Sequence, residues 1–218
     1  MRLLVATTNP GKVREIRELL AGAPVTLLGL GDLPPIDEPE ETGATFEENA
    51  RLKALYYAAR APWESDAAGQ AGRGRVLTVA EDSGLVIDAL GGEPGVRSAR
   101  FLRPDASYPE RFGEIFTRLD ECPGAPRTAR FVCALTLVRD RQVLYEVTGI
   151  VEGEIARAPS GSGGFGYDPI FYYPPYQSTL ADVTQEQKSR VAHRGQAFRA
   201  LVEWLRTPEH GRREKEER

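Results

Sequence analysis

Five short segments carry residue types and spacings suited to a phosphorylated, charged ligand. Thr7-Thr8-Asn9-Pro10-Gly11-Lys12 stands where an apolar run hands over to a helical pattern. Free backbone N–H groups and the positive end of a helix dipole at such a junction make an anion site. Pro10 and Gly11 shape the turn and Lys12 adds a point charge. It is not a Walker A loop, which needs Gly where Ala6 stands and Ser or Thr where Val13 stands. An ordinary capped turn is the alternative. Glu81-Asp82-Ser83-Gly84 places adjacent carboxylates after an apolar strand. Such a pair suits a hard cation such as Mg²⁺, which takes one or two carboxylates plus substrate phosphates. One of them could activate water; a plain polar turn is the alternative.

Glu40-Glu41 precedes a helix carrying Glu48, Asn49 and Lys53. Glu48 and Asn49 could contact a metal or a nucleotide, although Thr45 and Glu48 have the spacing of a capping box. Lys53 reads equally as a solvated helix-face charge. In Gly161-Ser162-Gly163-Gly164-Phe165-Gly166-Tyr167-Asp168-Pro169, glycines let a backbone pass close to a ligand. Phe165 or Tyr167 would offer a flat face to a base. Lys188, His193 and Arg194 form a cationic group able to hold the oxygens of a purine or a phosphate, against the alternative of a solvated helix end. The only other histidine, His210, sits in the charged C-terminal stretch.

These residues need a frame. Leu3–Thr7 and Val25–Leu30 read as strands, with a helix over Lys12–Leu20 between them. Thr45–Ala61 is a helix opened by the Thr45/Glu48 box, and Pro62–Arg75 is a Gly- and Ala-rich insertion. Val76–Ala80 is a strand ending at Glu81-Asp82-Ser83-Gly84, with Leu85–Ala89 resuming the apolar run. Ser107–Leu119 is a helix with Pro109 in its first turn. Arg127–Arg139 and Gln142–Ile155 are long strands joined as a hairpin at Asp140-Arg141. Ile170–Tyr173 is apolar, Thr184–Arg190 begins a short helix and Gln196–Leu205 is amphipathic. Strand–helix alternation combined with a long hairpin predicts an α/β fold with a mixed central sheet.

Composition narrows the function classes. The chain has 218 residues, 41% of them hydrophobic and 28% charged, and a formal net charge of −4. That is too apolar and too weakly charged for global disorder. The acidic balance argues against coating nucleic acid. No stretch approaches the roughly 18 apolar residues of a membrane span, and Leu3–Ala6 is too short for a signal peptide. Two cysteines, Cys122 and Cys133, suit a reduced cytoplasmic protein. Of 28 basic residues only Lys12, Lys53, Lys188 and Lys215 are lysine. Three of those four fall inside the segments above.

Taken together, these segments resemble the inosine triphosphate pyrophosphatase family. The matching signatures are Thr7-x-Asn9-x-x-Lys12, Glu41-Thr42-Gly43, Thr45-Phe46-x-Glu48-Asn49-Ala50, Glu81-Asp82-Ser83-Gly84-Leu85, Ser98-Ala99-Arg100, Gly163–Phe171 and His193-Arg194-Gly195. The resemblance runs from residue 3 to about 205. It implies an elongated, two-lobed mixed α/β fold of the Maf/Ham-like type with a cleft between the lobes. It also implies a single catalytic domain over residues 1–206 with a charged tail at 207–218, and a cytoplasmic homodimer. The implied activity is Mg²⁺-dependent hydrolysis of ITP, dITP and XTP to monophosphate and pyrophosphate.

By the same resemblance, Thr7, Thr8, Asn9, Pro10, Gly11 and Lys12 grip the phosphates. Asp82 binds Mg²⁺ and activates water, Glu41 assists the metal and Lys53 faces the phosphates as a catalytic cation alongside Lys12. Ser83 contacts substrate. Phe165, Gly166, Tyr167 and Asp168 line the base pocket, with Phe165 stacking on the purine. Lys188, His193 and Arg194 read the base. Ala192 stands where the family usually has Ser. A nucleotide-binding sensor without turnover, and a Maf-like pyrophosphatase for modified pyrimidine nucleotides, are the competing readings.

Overall fold

The computed structural model of the protein describes residues 1–61 and 76–207. The Pro62–Arg75 insertion and all of the expected tail except Thr207 lie outside the described residues. A mixed α/β fold is built on a seven-stranded sheet. The strands are β1 (Arg2–Val5), β2 (Thr26–Gly29), β3 (Val76–Ile87), β4 (Thr128–Arg139), β5 (Gln142–Ile155), β6 (Phe171–Tyr173) and β7 (Ser178–Thr179). The helices are α1 (Pro10–Leu19), α2 (Phe46–Arg60), α3 (Tyr108–Asp120), α4 (Gln185–Val191) and α5 (His193–Arg206). The sheet order is β2-β1-β3-β4-β5-β6-β7. β1 runs parallel to both β2 and β3, whereas β6 is antiparallel to β5 and β7. Asp140, in the two-residue β4–β5 connection, has φ +54°. Positive φ is the backbone state such tight hairpin turns require.

The chain divides into two compact units. The first comprises residues 1–82, 134–148 and 196–218, and the second 83–133 and 149–195. The first is cored by Leu4, Ala6, Ala54, Tyr57, Val76, Ala80 and Val138. The second has an aromatic core that includes Phe101, Phe112, Phe131, Tyr167 and Phe171.

Capping chemistry sets where the helices start. Thr45 Oγ1 accepts the Glu48 N–H, while Glu48 Oε2 accepts those of Ala44 and Thr45. Glu48 is therefore engaged as the cap of α2. Ser107 with Glu110, and Thr184 with Gln187, repeat the device on α3 and α4.

Two expectations change. β3 does not stop at Ala80; it runs unbroken through Glu81-Asp82-Ser83-Gly84 to Ile87. Helix α5 begins at His193, three residues before the amphipathic pattern announces it. Among the described residues, no helix is long and apolar enough to cross a membrane.

Candidate active site

In the first unit, β3 presents two carboxylates that go to different lysines. Successive strand residues point to opposite faces, so Glu81 and Asp82 diverge. Glu81 Oε1 lies 2.8 Å from Lys12 Nζ of α1, with the glutamate side chain 1% exposed. Asp82 Oδ1 lies 2.8 Å from Lys53 Nζ of α2. Glu81 and Asp82 thus do not form the adjacent chelating pair that their order suggested. The carboxylate that joins Asp82 is Glu41, whose Oε1 takes the same Lys53 ammonium at 2.7 Å.

Burial weighs against the charge on Lys53, yet the nearby Asp82, Glu81 and Glu41 outweigh it and raise its pKa. Lys53 is held as an ammonium. Burial pushes the Asp82 carboxyl up, and the Lys53 charge and hydrogen bond offset only part of that. A carboxylate with raised basicity in such a place is suited to accept a proton from water.

The Thr7–Lys12 segment differs from the expected array of free amides. Asn9 is the N-cap of α1, and its Oδ1 accepts the N–H groups of both Gly11 and Lys12, at 2.9 and 3.2 Å. Pro10 has no N–H, Val13 N–H bonds the Asn9 carbonyl, and Asn9 N–H reaches Thr7 Oγ1 at 3.3 Å. The cap consumes the Gly11 and Lys12 donors that the sequence left for an anion. A ligand can still use the dipole, the exposed Thr8 and Asn9, and the Lys12 ammonium.

In the second unit, Lys188 Nζ and Asp168 Oδ2 lie 2.7 Å apart, each side chain only 4% exposed. Asp168 Oδ2 also accepts the Phe165 N–H at 2.8 Å. Lys188 Nζ lies 4.7 Å and the Arg194 guanidinium carbon 5.5 Å from the centre of the half-buried Phe165 ring. Arg194 donates to Ser83 Oγ at 2.9 Å. His193 is buried and stacked on Phe131 at 4.9 Å. Because α5 starts at His193, these residues form a packed first turn, which excludes the reading of a solvated helix end.

The glycine run is explained by the protein itself. Gly164 has φ +67°, and a Cβ there would overlap the Asp168 carboxylate. Gly163 N–H bonds the Ala181 carbonyl at 2.9 Å, so the loop packs on its own backbone. Gly166, also at φ +67°, sits beside the Tyr108 ring. Tyr167, expected to line a base pocket, is buried in the aromatic core instead. Its hydroxyl donates to the Ser98 carbonyl at 2.9 Å.

The structure therefore gathers Glu41, Lys53 and Asp82, pairs Lys12 with Glu81, and groups Ser83, Phe165, Asp168, Lys188 and Arg194. It buries Tyr167 in the aromatic core and leaves Thr8 at the surface. Asn49, read in the sequence as a contact for a metal or nucleotide, and Ser98, given no role there beyond its place in a matching signature, take internal partners. Asn49 is fully buried and donates to Asp82 Oδ2 at 3.3 Å. Ser98 accepts the Leu85 N–H. The Asn49/Lys53 spacing of four, which puts both on one helix face, was the available signal for the first.

Residues 3–204 match the Ham1 family. A dITP/XTP pyrophosphatase from Thermus thermophilus is 46% identical over 203 residues, covering 93% of this chain and 91% of the relative. One from Geobacter sulfurreducens is 43% identical, covering 94% and 96%. A HAM1 protein structure from Coxiella burnetii superposes with TM-score 0.81 at 35% identity, covering 94% of this chain and 98% of that one. A Mycobacterium abscessus structure described as a nucleoside-triphosphatase / dITP/XTP pyrophosphatase gives 0.69 at 38% identity, covering 94% and 100%. With its motifs, its mixed sheet and near-full-length matches in agreement, the chain belongs to the Ham1 family.

Proposed function

We propose that this protein is a nucleoside triphosphate pyrophosphatase that hydrolyses noncanonical purine nucleotides (ITP, dITP and XTP) to the monophosphate and pyrophosphate, clearing them from the cytoplasmic nucleotide pool. The observation that carries the reading is the joint hold of Lys53 on Glu41 and Asp82, beside a Lys12–Glu81 pair. Three carboxylates face two ammonium groups there. A pure phosphate binder gains nothing from such an excess of carboxylate unless a divalent cation bridges it to the phosphates.

The donor set fits Mg²⁺. Among the described residues no three His, Cys, Asp or Glu side chains gather as a metal cage. The hard oxygens of Glu41 and Asp82 are the pair that would hold an ion whose remaining ligands are phosphate and water. Bound there, Mg²⁺ would offset phosphate charge and make a ligated water more acidic. Lys12 and Lys53 supply the monodentate cations for phosphate oxygens, and Asp82 accepts the proton of the attacking water. Attack at the α-phosphorus then releases pyrophosphate.

In the second unit, Lys188 and Arg194 are donors suited to a 6-oxo group. A 6-amino group would leave such donors unpaired, which disfavours adenine. Phe165 offers the ring on which a base stacks. The family resemblance supports a homodimer as the working form. The decisive experiment is an end-point assay across standard and deaminated triphosphates with and without Mg²⁺. Pyrophosphate release from ITP, dITP and XTP in preference to ATP is the expected result. Orthophosphate release, preference for modified pyrimidine nucleotides, or tight ITP binding without turnover would overturn it.

A further inference from the structure

We infer that Asn49 is a positioning residue that fixes the separation of Glu41 and Asp82, and that Gly43 is its obligatory partner. The inference rests on the phosphate-end role proposed above for those two carboxylates.

Asn49 is fully buried in the first turns of α2. Both ends of its amide are used. Nδ2 donates to Asp82 Oδ2 at 3.3 Å, and Oδ1 accepts the Gly43 N–H at 2.8 Å. The other Asp82 oxygen is held by Lys53, which also holds Glu41. Glu41 is joined to Gly43 through Thr42. The contacts close a ring: Gly43 to Asn49, Asn49 to Asp82, Asp82 to Lys53, Lys53 to Glu41, and along the backbone to Gly43 again. Asn49 and Lys53 are four residues apart, so one helix face supplies both links. Without Asn49, the tie from Glu41 through Lys53 to Asp82 runs along a lysine side chain with several rotatable bonds.

Side-chain chemistry explains the choice of residue. An amide offers a donor to the carboxylate and an acceptor to the loop at the same time. Aspartate would place a carboxylate against Asp82, leucine would serve neither contact, and glutamine is longer by a methylene. Gly43 is restricted for a reciprocal reason. A Cβ there would lie 2.6 Å from Asn49 Oδ1 and 2.8 Å from Glu48 Cβ. Only glycine lets the loop amide descend onto the helix, so Glu41-Thr42-Gly43 and Glu48-Asn49 act as one device.

The test compares wild type, Asn49→Leu and Gly43→Ala in three measurements: thermal melting, Mn²⁺ titration of the nucleotide-free protein by calorimetry, and steady-state kinetics on ITP. For variants that melt cooperatively, the expected result is a ~10–100-fold loss in kcat and a parallel loss in Mn²⁺ affinity, as outer-sphere partners of metal ligands typically give. KM for ITP should move much less. Gly43→Ala retains the Asn49 amide but forces it and the loop apart, and should show the same pattern, which keeps the test intact if Asn49→Leu does not fold. A structural role alone predicts lower melting temperature with wild-type kcat and Mn²⁺ affinity in the folded protein, and that outcome overturns the inference. Failure of wild type to release pyrophosphate would instead overturn the functional reading. The Mn²⁺ comparison would still decide whether Asn49 and Gly43 set the carboxylate pair.

Discussion

Asp82 and Asp168 are each held by a lysine at under 3 Å, yet their surroundings differ in kind. Around Asp82, three carboxylates (Glu41, Glu81, Asp82) face Lys12 and Lys53. Around Asp168, Lys188 holds the carboxylate and the Phe165 N–H reaches it, while Lys188 and Arg194 both stand over the Phe165 ring. The first group gathers carboxylates and is suited to draw a divalent cation. The second gathers cations beside an aromatic ring and is suited to electron-rich oxygens and the face of that ring. Similar Lys–Asp geometry therefore serves two chemistries, and the difference lies in what else stands nearby.

Neutralising each aspartate in turn should break this comparison most visibly. Asp82→Asn is expected to lower pyrophosphate release by at least ~10²–10⁴-fold, the usual contribution of a positioned general base. Its effect on stability should have the other sign. The pKa of Asp82 is raised in the folded protein, chiefly by burial, so its charged form opposes folding. The stability linked to its protonation is fully present below the unfolded pKa and is lost as pH rises through the folded one. Asp82→Asn should thus melt at or above the wild-type temperature near neutral pH, with the advantage fading on acidification. Asp168→Asn should behave oppositely, melting lower at neutral pH because it leaves Lys188 buried and unmatched. Melting curves from pH 5 to 8 separate the two; a drop for Asp82→Asn comparable to that for Asp168→Asn would void the contrast.

Removing the lysines sharpens it further. Lys188→Met removes the buried ammonium that bonds Asp168, a change that costs about 3–5 kcal/mol in well-buried pairs. Lys53→Met also destabilises, by leaving Glu41 and Asp82 facing each other. Their oxygens suit a hard cation, so millimolar Mg²⁺ should recover part of the lost melting temperature through binding to the folded state. No such recovery is expected for Lys188→Met. Equal Mg²⁺ responses in the two variants would show that this difference has no functional content.

On the substrate side, Arg194→Leu removes a donor from the Phe165 group while leaving the Lys53 group untouched. The ratio of kcat/KM for ITP over ATP is expected to fall by ~10-fold or more, in line with about 1–3 kcal/mol for an unpaired polar partner. Unchanged discrimination would move base reading elsewhere.

Much of this was legible in the sequence where the signal is local. The Thr45/Glu48 box and the Asp140-Arg141 hairpin depend on neighbours a few residues away, and the mixed sheet follows from the order of strand and helix patterns. Long-range pairing was not legible. Glu81-Asp82-Ser83-Gly84 has the composition of a turn, and it is a strand because Lys12 and Lys53, distant in sequence, neutralise its carboxylates. His193 and Gly195 are weak helix formers, so α5 announces itself only from Gln196. Packing against Phe131 and Phe165 accompanies the earlier start. The glycine loop pointed to a ligand, whereas its tightest approaches are to Asp168 and the Ala181 backbone. The lysine count, in contrast, singled out Lys12, Lys53 and Lys188, each of which meets a buried carboxylate.

Tyr167 gives the finest probe of the second region, because it packs in the aromatic core two residues from Phe165. Burial pushes its phenol up, keeping the hydroxyl a donor, and it bonds the Ser98 carbonyl. Ser98 in turn donates to the Gly95 carbonyl and accepts the Leu85 N–H, two residues past Ser83 on β3. The chain Tyr167–Ser98–Leu85 thus ties the loop bearing Phe165 and Asp168 to the strand that carries the Arg194 acceptor. Tyr167→Phe keeps the ring packed and removes one hydrogen bond, so a loss of about 0.5–1.5 kcal/mol is expected in denaturant unfolding. If the bond only stabilises the fold, KM for ITP will be unchanged. If it also braces the loop, KM should rise by a few fold while kcat and Mg²⁺ dependence stay at wild-type values, since Lys53, Glu41 and Asp82 are untouched. A fall in kcat with constant KM would instead place Tyr167 in the service of the other aspartate and contradict the division of labour between the two groups.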